Sequence, residues 1–130
     1  MAAVLDFSGS AFDIVRQPKA DGVTWAWAQS DLDMASESTA RAELAEVLDR
    51  DGAVAVLLVY LGPECFVDVR GLRLLLDASE RLRKRNGQML VVAPPLCLRR
   101  MIDLLGLSDV LPTLFSEQQA ASWVRARTGG

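Results

Sequence analysis

Along the chain, apolar positions alternate between a period of two and a period near 3.6, and short Gly- and Pro-containing breaks separate the segments. Residues 12–15 read as a short strand and residues 18–22 as a turn, with Pro18 and Asp21-Gly22 in turn-favouring places. Residues 23–28 then alternate. Val23, Trp25 and Trp27 share one face, and Thr24, Ala26 and Ala28 the other, as in a half-buried strand. The two strands with their turn predict a hairpin. Residues 1–10 show no clear period and are read as an arm ahead of the domain, which spans 11–127 and leaves 128–130 as a tail.

Helical spacing follows. Ala40, Leu44, Val47 and Leu48 recur on one face behind the candidate caps Ser36, Ser38 and Thr39, predicting a helix to about Arg50 that stops at Asp51-Gly52. Residues 54–60 are continuously apolar and rich in valine and leucine, which suits a central strand covered on both faces. A second helix is expected from about Asp68, with Leu72, Leu75, Leu76, Ser79 and Leu82 inward, ending at Asn86-Gly87. Residues 89–93 predict another buried strand. Pro95 is placed at the first position of a third helix lined by Leu98, Ile102 and Leu105, with Gly106 and Leu107 as its stop. Residues 110–115 predict a short last strand, confined to an edge by Pro112. Ser116 to Gln119 fits a capping box for a final helix with Ala120, Trp123 and Val124 inward. The expected fold is a single α/β domain: a hairpin, then βαβ units giving a mixed, largely parallel sheet of 4–5 strands packed against about four helices.

Composition narrows the chemistry. The 130 residues are enough for one domain core. The longest apolar stretch, residues 53–61, is far short of the roughly 20 residues of a membrane span. No basic region precedes an apolar run at the start, so a cytoplasmic location is expected. A net charge of −3 makes nucleic acid a poor partner. The chain contains no histidine, which rules out Ser-His and Cys-His catalysis and imidazole metal ligands. Two cysteines do not make a zinc set. No phosphate loop or base–nucleophile pair is visible, so neither a catalytic residue nor a cofactor is expected.

The order of elements and three short motifs resemble the STAS domain of anti-sigma-factor antagonists over roughly residues 12–124. Ser30-Asp31-Leu32-Asp33 stands where that family has Gly-Glu-Leu-Asp after its second strand. Residues 65–72, Cys-Phe-Val-Asp-Val-Arg-Gly-Leu, stand where it has an apolar pair followed by Asp-Ser-Ser-Gly-Leu. Arg100-Met101-Ile102 with Leu105-Gly106-Leu107 resembles its third helix. The resemblance implies a protein-binding module whose partner is an anti-sigma factor or a serine-kinase-like protein, with a homodimer as a further option. In the family, the kinase silences its antagonist by phosphorylating the serine that follows the aspartate. Here Val69 takes that place and Arg70 the next, so the degenerate motif has lost the phosphosite. The alternatives are a STAS scaffold in a stress-signalling or lipid-transport complex and, with least support, a small enzyme.

The partner-binding residues expected by resemblance are Asp33, Asp68, Val69, Arg70, Gly71, Arg73 and Leu74. Asp68 is also explained by helix capping alone, and Arg70 and Arg73 by a solvated helix face. Leu74 is read as lying off the inner stripe, beside the two arginines, in a patch that would read carboxylates on the partner. Asp31 and Asp33 suit a polar loop whose carboxylates bond nearby backbone. The basic run Arg81, Arg83, Lys84 and Arg85 reads as a solvated face. Trp25 and Trp27 read as core packing, with an exposed apolar patch as the alternative. Cys65 and Cys97 each follow one of two neighbouring parallel strands. They are either inert thiols or a redox pair that substitutes for the lost phosphorylation.

Overall fold

In a computed structural model of the chain, residues 9–17, 22–50 and 54–127 are described. Residues 1–8 of the expected arm, residues 18–21 of the expected turn, the helix stop at Asp51-Gly52 and the tail at 128–130 lie outside them. The strands are β1 (Phe12–Arg16), β2 (Val23–Ala28), β3 (Val56–Tyr60), β4 (Gln88–Val92) and β5 (Thr113–Leu114). The helices are α1 (Glu37–Arg50), α2 (Val69–Arg83), α3 (Leu96–Leu105) and α4 (Glu117–Arg127). The sheet order is β1-β2-β3-β4-β5, with β1 antiparallel to β2 and every other pair parallel. This is the single mixed α/β domain expected from the pattern.

Sequential parallel strands joined by right-handed crossovers all step the same way, which places the connecting helices on one face of the sheet. That face packs Ala26, Leu57, Val59, Met89 and Val91 against Ala40, Leu44 and Leu48 of α1, Leu72, Leu75 and Leu82 of α2, and Leu98 and Ile102 of α3. The opposite face presents Val23, Trp25, Val56, Leu58, Leu90 and Val92, and α4 covers it with Ala120 and Val124. Alternate residues of β2 therefore enter two separate cores, and its first four positions are all buried. The sequence suggests a half-buried strand here; a parallel neighbour and helices on both sides bury the second face as well.

Four further differences have local causes. Leu105 is 61% exposed, not inward, because α3 ends at Gly106, whose left-handed φ of 67° turns the chain away after Ile102. Leu107 N–H returns to Ile102 O at 2.9 Å, completing the expected Schellman stop. Pro95 is the N-cap of α3 rather than its first residue, and makes no side-chain cap bond. The last strand shrinks to Thr113–Leu114, because Val110 and Leu111 N–H groups both bond Leu107 O in a turn instead of joining the ladder. It does lie at the sheet edge. Ser116 caps α4 through Gln119 N–H, while the Gln119 side chain accepts from Phe115 N–H, one residue before the position a capping box uses.

Glu43 of α1 fastens the start of the hairpin strand. Its carboxylate accepts the Ala11 and Phe12 amides, the latter at 2.8 Å. Glu43→Ala should lower stability by about 1–2 kcal/mol, because two part-buried donors then lose a charged acceptor. Urea unfolding measures this as a lower midpoint with unchanged slope.

Candidate functional site

The tip of α2 is assembled from two connections that leave neighbouring strands. After β2 the chain runs through Asp31, Leu32 and Asp33; after β3 it runs through Cys65 to Asp68. Leu32 and Val67 form a parallel bridge, with Leu32 N–H donating to Phe66 O at 2.8 Å and Asp68 N–H to Leu32 O at 3.1 Å. Both side chains are buried in the helix-covered core. Asp31 Oδ1 adds a third tie by accepting Phe66 N–H at 2.9 Å.

Asp68 then caps the helix from extended backbone, its Oδ1 accepting Arg70 N–H at 2.9 Å and Gly71 N–H at 3.0 Å. Gly71 is a packing requirement. A Cβ there would lie 2.2 Å from Leu32 O and 2.9 Å from Val67 Cγ1. Asp33 folds its own loop, with Oδ1 accepting Ala35 N–H at 3.0 Å and Ser36 N–H at 3.2 Å. Asp31, Asp33 and Asp68 thus each hold backbone in place, and their geometry serves the shape of the tip.

The residues that face outward are different ones. Val69 is 60% exposed, and it is joined by Phe66 at 52% and Met34 at 66%. Arg70 and Arg73 are also exposed. Neither Phe66 nor Met34 was expected from the sequence. Phe66 points outward because its neighbour Val67 turns inward in the bridge with Leu32, a pairing that only the fold shows. Leu74 corrects the reading of an exposed patch, since it is only 2% exposed. Helix α2 packs on both the sheet and α1, so its buried arc extends beyond a single stripe to Leu74 and Ala78. Arg41–Asp77 and Arg81–Asp49 ion pairs clamp the two helices over that seam. Arg85 donates to Leu48 O in the last turn of α1 at 2.8 Å, so part of the basic run stitches helices together.

Trp25 packs as core, and Trp27 lies partly buried against the same cluster. Their rings stack at 4.6 Å, Trp25 Nε1–H bonds Gln17 Oε1 at 3.0 Å, and Trp27 leans on Tyr60. Cys65 and Cys97 are free, half-buried thiols. Burial, reinforced by the negative charge of Asp31, pushes the Cys65 thiol up to about 11. Cys65 also lines an open crevice of about 300 Å³ between the ends of β2 and β3, with Ser30, Asp31, Gly62 and Glu64. Among the described residues no three metal-ligating side chains converge.

Gly71→Ala should destabilise the domain by roughly 2–3 kcal/mol, because the added methyl meets backbone that a bridge holds in place; chemical denaturation would measure it. In a Cys97→Ser chain, iodoacetamide labelling of Cys65 should be slow at pH 7 and rise about tenfold per pH unit to pH 10, tracking the thiolate fraction. A rate that levelled off near pH 8 would contradict the raised thiol.

Residues 16–121 match the STAS domain family. Among solved structures, an anti-sigma factor antagonist from Mycobacterium paratuberculosis superposes with a TM-score of 0.73 at 24% identity, covering 88% of this chain and 92% of that one. The Bacillus cell fate determinant SpoIIAA in its phosphorylated form gives 0.66 at 20% identity, covering 88% and 100%. The murine anion transporter Solute Carrier 26 family member A9 gives 0.66 at 16%, where 96% of this chain matches 24% of that one. With the family match spanning most of the domain, and the bridge, cap and glycine arranged as described, the chain belongs to the STAS domain family.

Proposed function

We propose that this domain acts by docking on another protein, resembling an anti-sigma-factor antagonist whose partner is an anti-sigma factor or serine-kinase-like protein. The observation that carries the reading is Val69. It stands directly after the Asp68 cap, where the family has its phosphorylated serine, and it is exposed at the helix tip. A phosphate at such a position adds about −1.5 to −2 charges to the docking surface. Valine offers no hydroxyl, so a partner kinase has nothing to modify there, and the domain stays competent to bind. The hydrogen-bonded loops around the tip support the reading further, because a surface already ordered loses little entropy on binding.

Phe66, Val69 and Met34 supply apolar area, and Arg70 and Arg73 supply charge beside it. Arg70 lies in the first turn, where the helix dipole disfavours a cation by a few tenths of a kcal/mol. A carboxylate on the partner would offset that cost. Asp33, Asp68 and Gly71 act through the shape of the tip, and Leu74 through the core beneath it.

A second reading, a STAS scaffold within a larger assembly, is supported by the fold likeness to the transporter's domain. Co-purification from the source cell with identification of the bound protein separates the two. The first predicts a protein with anti-sigma or kinase motifs, the second a complex without them. Arg70→Glu should weaken the captured complex at least tenfold by titration calorimetry while leaving the unfolding midpoint unchanged or slightly raised, since an anion in the first turn suits the helix dipole. Unaltered affinity would remove Arg70 from the docking surface.

A further inference from the structure

We propose that the outer face of α3 is a self-association surface, on which a second copy of this chain seats its own α3 in the antiparallel sense. This surface is separate from the docking reading above, since it lies on a different helix and takes a different partner.

Helix α3 carries two opposed rows. Leu98 and Ile102 are buried in the helix-covered core, and Cys97 and Met101 pack partly against it. At 3.6 residues per turn, Leu96, Arg100 and Asp103 lie together on the opposite side, with Arg99 and Leu104 flanking them. All five are exposed. Leu104, at 85%, is the most exposed large apolar side chain among the described residues, and Leu105 beside it also faces solvent. On the other flank the Arg99 guanidinium stands 5.2 Å from the centre of the exposed Phe115 ring. The outer face is thus a polar centre, Arg100 and Asp103, with leucines at both ends. Among the described residues neither Arg100 nor Asp103 has an ion-pair partner.

Charge complementarity selects the occupant. A two-fold axis level with the midpoint between residues 100 and 103 sets two copies of α3 antiparallel. Arg100 of each copy then stands level with Asp103 of the other, with Arg99 alongside, and symmetry makes the pairing twice. Leu104 of each copy reaches the level of Arg100 of the other, where the aliphatic stem of the arginine offers apolar contact. Leu96 comes level with the turn at Gly106, where nothing lies within 4 Å of the position a Cβ would take. A parallel pairing would instead set Arg100 against Arg100 and Asp103 against Asp103.

The face is small. Its ten residues rise about 15 Å, which covers far less than the roughly 800 Å² per partner of a stable interface. The dimer is therefore weak, with a Kd on the order of 0.1 mM, and forms where the chain is locally concentrated. Met34, Phe66 and Val69 take no part in it.

The test is sedimentation equilibrium of the full chain from about 10 μM to about 1 mM, a range that brackets this affinity. The unaltered chain should dimerise reversibly. Arg100→Asp and Asp103→Arg should each weaken self-association about tenfold, because like charges then face one another across the axis. Mixed in equal amounts, the two variants should associate within about threefold of the unaltered chain, since each supplies the charge the other lost. Leu104→Ser should weaken association about tenfold by removing apolar area at both ends. All three positions are exposed, so unfolding midpoints should change little, which separates lost association from lost fold. A chain that stays monomeric to about 1 mM would overturn the surface. So would single variants that associate like the unaltered chain, or a mixture no tighter than either variant alone. Partner capture with Arg70→Glu judges the docking reading separately.

Discussion

Leu32 O occupies the space that any side chain at position 71 would need, and the tip of the molecule is organised around that close approach. The Leu32–Val67 bridge brings the carbonyl there, the buried Leu32 and Val67 side chains pin it to the core, and glycine lets α2 begin directly against it. The helix can then start at one place only. Asp68 receives its two amides there, and Val69 becomes the first residue presented to solvent. Without the bridge the two connections would be independent loops, and the exposed residues would have no fixed relation to one another.

The same end of the sheet concentrates what is unusual in the domain. Parallel strands deliver the β2 and β3 connections and the starts of α2 and α3 to their carboxyl-terminal edge, where α/β sheets generally place their binding sites. The far end carries ordinary structural chemistry: the α2 stop, with Asn86 at a left-handed φ of 63° and Gly87 N–H returning to Leu82 O. Polar groups at the near end are also structural, since Asp31, Asp33 and Asp68 are spent on backbone amides. Met34, Phe66, Val69, Arg70 and Arg73 face outward there, alongside the exposed acids Asp31 and Glu64.

The tip separates residues that set its architecture from residues that only cover it. Asp68 and Gly71 meet requirements of capping and space that exist whether or not the residues between them carry hydroxyls. Val69 and Arg70 meet no such requirement. Side chains at these two positions therefore alter what the surface displays and leave the bridge, the cap and the helix start untouched.

Local chemistry made much of this legible from the residues alone. The hairpin, the buried strands, the Asp68 cap, the Gly106 stop and the alternation of strand and helix depend on neighbours a few positions apart, where periodicity and capping rules apply. The motif at residues 65–72 was readable for the same reason. Three features required the assembled fold. Leu74 looked exposed because a stripe on one helix assumes one packing partner, whereas α2 has two. Leu105 looked buried because its period fits, but the chain turns away at Gly106 before α3 can use it. Phe66, Met34 and the clash that makes Gly71 obligatory arise between segments some 35 residues apart, at a distance where no local pattern carries information about which face meets solvent.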